Sequence, residues 1–364
     1  MIAPLTPVDF SNLRQWQRID LEPSLAAFRR SAAEMLSTAS GFSRQPVFGG
    51  SIEDWYPVCK ASLDAMDARH FFETLFKPFQ VMDPDRPQGL FTGYYEPLVE
   101  GTRQPDPAFP VPVYGKPADL VSFMLDEVQN SGLTYGRRLR GEPAPYDTRE
   151  KIEKGSLAGQ GLEICWVRDW TDAFFMHIQG SGRVKLQDGP EIRLAYAAKT
   201  GLPYTGIGSV LLKRGIGTPE TMSMQFLKQW MKDHPSEARD LMWHNQSYVF
   251  FQEITVKDPG LGAIGAAKVN LTPRRSLAVD RYYWMFGTPV LLDTTTPPES
   301  PGGSQPFVEL MIAQDTGTAI KGLARGDVYW GWGVEAALIA GHMKSPGRMT
   351  VLLPPAVGRK HGFM

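Results

Sequence analysis

Apolar residues return along this chain in two rhythms. Over 24–39, Leu25, Phe28, Met35 and Leu36 recur at helical spacing, and over 57–76 Val58, Leu63, Met66 and Phe71 do the same. Residues 89–95 read as a strand that ends at Pro97. A proline-rich passage with Pro105, Pro107, Pro110 and Pro112 follows and reads as a crossing between domains. From there to about Leu241 the pattern is mostly short strands, clearest at 162–167 and 174–179, with 192–197 alternating in the same manner. A helix over 219–232 closes that section. From Asn245 onward the β pattern returns, interrupted over 297–305 by a polar glycine-proline loop that reads as mobile. No repeat of solenoid period is present.

Composition sharpens this picture. A chain of 364 residues exceeds one ordinary core, so two domains are expected. Apolar content of 42%, charged content of 21%, and 36 glycines with 30 prolines favour a β-rich globular enzyme over a helical bundle or a disordered chain. A net charge of −1 gives no bulk attraction to nucleic acid or to a membrane surface. Cys59 and Cys165 share no metal-ligand spacing, so no metal is expected and two buried thiols are, with a disulfide as the lesser option. His177 falls in the 174–179 strand pattern and reads as structural. The opening MIAPLTPVDFSNL lacks the basic start and apolar core of a secretory signal, and no run of ~18 apolar residues could span a bilayer.

Candidate chemistry concentrates at 310–335. Leu310, Met311, Ile312 and Ala313 form a short apolar run that delivers Asp315 to a strand end, and Asp315-Thr316-Gly317 is a tight turn. Twelve residues beyond Asp315, Gly326 and Asp327 precede Val328-Tyr329-Trp330. Two carboxylates at strand ends among glycine and aromatics suit a polysaccharide site. Aromatic faces stack on sugar rings, and apolar walls raise a carboxyl's pKa until it can donate a proton. The plain alternative is that both aspartates cap turns. Asp-Thr-Gly is also the signature of aspartic proteases; its single copy here would demand a symmetric homodimer, and the length argues against the small dimeric type.

Separated motifs narrow the choice. Ser276-Leu277-Ala278-Val279-Asp280, Gly287-Thr288-Pro289-Val290, Asp315-Thr316-Gly317, Ala319-Ile320-Lys321-Gly322 and Gly326-Asp327-Val328-Tyr329 occur in order. Upstream stand Thr92-Gly93-Tyr94-Tyr95-Glu96-Pro97, Gln179-Gly180-Ser181-Gly182-Arg183-Val184 and Asn245-Gln246-Ser247-Tyr248-Val249-Phe250-Phe251. From about Phe91 to Leu353 the chain resembles the MltA family of membrane-bound lytic murein transglycosylases, whose C-terminal domain carries three recurring aspartates. Thr318 stands where the family usually has glycine, and Tyr283-Trp284-Met285-Phe286 is longer than the family's usual turn. Both departures touch loop shape.

The resemblance implies a mainly β protein. A double-psi β-barrel with N-terminal helices would take 1–100 and 243–364, a smaller β-domain would be inserted over 101–242, and a glycan groove would lie between them. It implies cleavage of the β-1,4 bond between N-acetylmuramic acid and N-acetylglucosamine in peptidoglycan, with 1,6-anhydromuramic acid as the new end. Asp327 would be the single acid/base, supported by Asp315 and Asp280; the exchanged assignment makes Asp315 the acid. Glycan contacts are expected from Thr92, Tyr94, Tyr95, Gln179, Ser181, Gly182, Tyr329 and Trp330, with Trp332 as a further aromatic. Strand alternation should turn either Tyr329 or Trp330 inward. No cofactor, no metal and no nucleic acid are expected. The expected partner is the peptidoglycan strand, with the cell-wall synthesis machinery a second candidate, and the protein is expected to be a monomer. A periplasmic place follows, with outer-membrane anchoring in the full precursor. Two rivals stay open: an inverting glycoside hydrolase on the same barrel, and a non-catalytic peptidoglycan-binding protein.

Overall fold

The computed structural model describes residues 4–83, 88–255, 258–360 and 362, so Met1 to Ala3 of the opening segment lie outside the described residues. Two compact units emerge. One takes the residues up to Tyr95 and those after Thr255; the other is Glu96–Thr255.

In the first unit, helix α1 spans Glu22–Leu36. Its Ser24, Leu25, Phe28, Ser31, Ala32 and Met35 share one buried stripe, as their three- and four-residue spacing dictates. The expected helix over 57–76 divides into α2 (Tyr56–Asp64) and α3 (Ala68–Leu75). Asp67 causes the break: it turns to extended backbone, and its carboxylate caps α3 by accepting from His70 N at 2.9 Å. Phe28, Phe71, Phe72 and Phe76 then pack edge to face or tilted, with ring centroids 5.1–6.3 Å apart.

The strands of this unit are β1 (Leu5–Pro7), β2 (Lys77–Val81), β3 (Gly89–Glu96), β4 (Ser276–Val279), β5 (Pro289–Thr295), β6 (Pro306–Asp315), β7 (Arg325–Trp332) and β8 (Lys344–Leu353). Their order is β1-β2-β8-β5-β6-β4-β7-β3, and β3 returns to pair with β8. Six strands, β3 to β8, therefore close into a ring. Closure removes the sheet edges those strands would otherwise present. All four residues of β4 are buried, because the strand runs parallel to β6 on one side and antiparallel to β7 on the other. Helix α4 (Gly333–His342) follows β7 directly, where only β pattern was expected.

Buried polar bonds dock α1 on β6. Ser24 Oγ donates to Leu310 O at 2.6 Å, while the Gln314 amide donates to Ala27 O at 2.8 Å and to Ser31 Oγ at 2.9 Å. Ser276 Oγ in turn donates to Gln314 Oε1 at 2.6 Å. Each of these groups would be costly to bury alone.

The second unit carries a sheet ordered Val249–Ile254, Ile192–Lys199, Ser181–Leu186, Leu98–Thr102, Glu163–Val167 and Val111–Tyr114. Val249–Ile254 pairs with Ile192–Lys199, so the unit runs on past 242 to Thr255. The proline-rich passage lies inside this unit, its end entering the sheet as Val111–Tyr114. The expected strand 174–179 is instead a helix, Trp170–Gln179. Asp169 caps it by accepting from Asp172 N at 2.8 Å, and Gly180 ends it at φ 75°. Both faces of the helix are covered, Ala173 and Met176 by the sheet and Phe174 and Phe175 by helices Ile207–Lys213, Met224–Asp233 and Pro235–Trp243. An apolar run buried all round has no period to separate it from a strand. The expected helix over 219–232 starts at Met224, where Ser223 Oγ accepts from Phe226 N at 3.1 Å.

Cys59 and Cys165 are buried free thiols, and burial pushes each up to about 12. Gln314→Ala is expected to lower the unfolding free energy by about 2–3 kcal/mol, since it strands the Ser276 and Ser31 hydroxyls beside a cavity. Urea denaturation followed by tryptophan fluorescence measures this, and a change below about 0.5 kcal/mol would contradict the docking role.

Candidate active site

One small residue organises the site. Ala278 of β4 lies opposite Asp315 on β6 and opposite Asp327 on β7. Directly opposed residues share a sheet face, and strand spacing sets the two aspartate backbones about 10 Å apart. The β4–β6 register slips after Leu277, which pairs with Ala313 while Ala278 pairs with Asp315. Gln314 is the residue passed over, and it is the one bonded to α1.

The two carboxylates have unlike surroundings. Asp315 Oδ2 accepts from Tyr94 Oη at 2.9 Å, and its Oδ1 accepts from Ala266 N at 3.0 Å and Thr316 N at 2.9 Å. Both of its oxygens are occupied. Asp327 Oδ1 accepts from the Thr92 hydroxyl, and Arg325 Nη2 donates to that same Thr92 oxygen at 2.7 Å. Among the described residues no donor reaches Asp327 Oδ2.

Burial raises both carboxyls above the ordinary aspartate value of 3.8. For Asp315 the negative charge of Asp327 adds to that rise, and the hydrogen bonds from Ala266, Thr316 and Tyr94 oppose it. For Asp327 the Arg325 charge and the Thr92 hydroxyl oppose it. Tyr94 is held well above its ordinary value, by burial first and then by Asp315, so it remains a donor. A protonated Asp327 with an uncommitted oxygen can act as a general acid.

The structure brings together Thr92, Tyr94, Asp315 and Asp327 from the residues anticipated by sequence. Asp280 directs its carboxylate elsewhere: it accepts from Tyr282 N at 3.1 Å, Gly322 N at 3.0 Å and Lys321 Nζ at 3.4 Å. It therefore pins the 321–322 turn to the end of β4. Asp327 lies third in β7 rather than at a strand end.

Tyr329 and Trp330 are both packed away. Tyr329 is fully buried with Tyr94, Leu271, Ala278 and Ile320, and a Cβ at Gly262 would overlap its hydroxyl. Trp330 points to the other face of β7, against Phe307 at 5.1 Å and with Nε1 on Met343 Sδ at 3.4 Å. Alternation does turn them opposite ways, but each face is covered. Tyr95 is buried too. In the second unit, Gln179 is the last residue of a helix, and Ser181 and Gly182 are buried residues of the following strand, opposite Ala195 and Leu194.

Arg325 is the site residue that sequence reading missed. Its signal was the Arg-Gly-Asp spacing on a strand, which sends Arg325 and Asp327 to the same face. Among the described residues no three His, Cys, Asp or Glu side chains gather to hold a metal. No helix among them is long and apolar enough to cross a membrane.

Comparison with known proteins shows what the chain as a whole resembles. Residues 90–252 match the MltA specific insert domain, and residues 275–353 match the 3D domain. Membrane-bound lytic murein transglycosylase A of Vibrio cholerae is 35% identical over 265 residues, which is 71% of this chain. The match spans 64% of that relative's length. A solved membrane-bound lytic murein transglycosylase from Agrobacterium tumefaciens superposes with a TM-score of 0.88 at 34% identity, covering 99% of this chain and 100% of that one. Escherichia coli MltA with bound chitohexaose superposes at 0.68 with 27% identity, covering 97% and 92%.

Burial of Asp327 has a stability consequence. Above its ordinary value of 3.8 the carboxyl would ionise in the unfolded chain sooner than in the folded one, so the native state loses stability as pH rises through that window. Asp327→Asn is therefore expected to melt higher than the parent at pH 7, with the gain vanishing once pH falls below 3.8. Thermal unfolding across pH checks this; equal melting at pH 7 would contradict it.

Proposed function

The chain belongs to the MltA family, and on that premise we propose that it is a lytic murein transglycosylase whose single acid/base is Asp327. The observation that carries the assignment is the asymmetry of the two carboxylates. Asp315 has three donors on its two oxygens, whereas Asp327 has one donor and keeps Oδ2 for substrate.

The chemistry follows from that arrangement. Protonated Asp327 gives its proton to the glycosidic oxygen as the bond from C1 of N-acetylmuramic acid breaks and N-acetylglucosamine leaves. The C6 hydroxyl of the same muramyl residue attacks C1, and the carboxylate takes up the hydroxyl proton. Proton count is restored, no water enters, and a 1,6-anhydromuramyl end remains. Burial, which raises Asp327 above the ordinary aspartate value, favours the first step. Asp315, held by Tyr94, stands on the same sheet face as the acid; Asp280 fixes the neighbouring turn.

An inverting hydrolase would require a second carboxylate free to activate water. The full hydrogen bonding of Asp315 argues against that role and against exchanging the two aspartates. A purely binding protein has no use for an acid desolvated beside an open oxygen, and such a group costs stability.

Thr92 and Tyr94 belong to the site as holders of the carboxylates. The closed six-strand ring with its parallel β4–β6 pair supports a double-psi β-barrel, with the Glu96–Thr255 unit inserted between its parts. Peptidoglycan is the partner of this reading, and the name "membrane-bound" carried by the relatives supports a place in the cell envelope, in the periplasm.

Mass spectrometry of material released from peptidoglycan sacculi tests the proposal. Fragments ending in 1,6-anhydromuramic acid are expected from the parent, with turnover at least about 100-fold lower in Asp327→Asn, as loss of a general acid implies. Reducing muramyl ends would instead mean that water is the nucleophile.

A further inference from the structure

We propose that Arg325 is a positioning residue that decides which oxygen of Asp327 carries the catalytic proton. The inference rests on Asp327 being the acid.

The geometry is a relay across two strands. Arg325 and Asp327 are two residues apart on β7, so their side chains leave the same face, and Thr92 on β3 bridges them. Arg325 Nη2 donates to Thr92 Oγ1 at 2.7 Å, and the Thr92 hydroxyl donates to Asp327 Oδ1. A guanidinium has donors only and a hydroxyl has one hydrogen. With Arg325 donating into the Thr92 oxygen, that hydrogen can point only away from it, toward Oδ1. Oδ1 is thereby committed as an acceptor, and the acid proton resides on Oδ2, the oxygen that no donor among the described residues reaches.

Arg325 is itself fixed, being 8% exposed and held also by the Leu90 carbonyl at 3.4 Å. Among the described residues, the charged and titratable groups around Asp327 are Arg325 from its own strand, Asp315 from β6 and Tyr94 from β3. Burial favours the protonated form, and Arg325 is the one positive charge among these. It keeps the carboxyl acidic enough to release its proton and to reclaim one in the second half of the reaction.

The test is the pH dependence of turnover on a soluble glycan fragment for the parent, Arg325→Met, Arg325→Lys and Thr92→Val, with Asp327→Asn as reference. Activity requires protonated Asp327, so the falling limb at high pH reports its pKa. Arg325→Met and Thr92→Val are each expected to move that limb upward by roughly one pH unit and to reduce kcat about tenfold. Arg325→Lys, which keeps the charge, should leave the limb near the parent's position. The double variant should lose much less than the product of the single losses, because both act through one hydroxyl. If Arg325→Met fails to fold, the contrast between Arg325→Lys and Thr92→Val still decides. A limb unmoved in Arg325→Met or in Thr92→Val, or losses that multiply independently, overturns the positioning role while Asp327 keeps its own. Parent-like turnover by Asp327→Asn removes the acid assignment, and the positioning role with it.

Discussion

The double pairing of β4 is the constraint on which the site depends. Ser276–Val279 is a four-residue strand buried throughout, parallel to β6 and antiparallel to β7. Only in that place can Ala278 face Asp315 on one side and Asp327 on the other. The slip that passes over Gln314 serves two ends at once, freeing that amide to hold α1 and bringing Asp315 level with Ala278. The helical layer and the register of the two aspartates are thus coupled through one residue.

From that frame the two aspartates diverge by their donors. Asp315 sits among backbone N–H groups and a phenol, a polar niche that satisfies its charge even though burial resists it. Asp327 sits against a hydroxyl whose oxygen is already claimed by a guanidinium. Two carboxyls on one sheet face therefore meet different surroundings without any difference in residue type. Environments that separate paired acids are the general means by which a site assigns roles. The buried Tyr94–Tyr329 pair, with ring centroids 5.2 Å apart, packs in the cluster around Ala278 rather than offering its faces to a sugar.

Much of this was legible in the chain, and the failures have physical causes. The apolar run 310–313 did deliver Asp315 to a strand end, because four consecutive apolar residues before Asp-Thr-Gly leave few alternatives. The stripe of α1 declared itself by spacing. The run 174–179 did not, since a helix covered on both sides shows no period; Asp169 and Gly180 were the signals that would have corrected it. Tyr329 and Trp330 were read as groove residues because alternation gives direction but not what covers each face. The Arg325–Thr92–Asp327 relay joins positions 235 residues apart, a distance that no local pattern bridges. Asp280 was grouped with the other aspartates by motif, yet its bonds hold a turn.

The protonation state of Asp327 is the quantity on which the proposed mechanism turns. Infrared difference spectroscopy of the parent against Asp327→Asn, recorded through a pH titration, reads it directly from the carboxylic C=O band. The band should persist at pH values where surface aspartates have already ionised, and fade only as Asp327 finally releases its proton. A band already lost near 3.8, the ordinary aspartate value, would contradict a carboxyl kept neutral by its surroundings and leave the site without its acid.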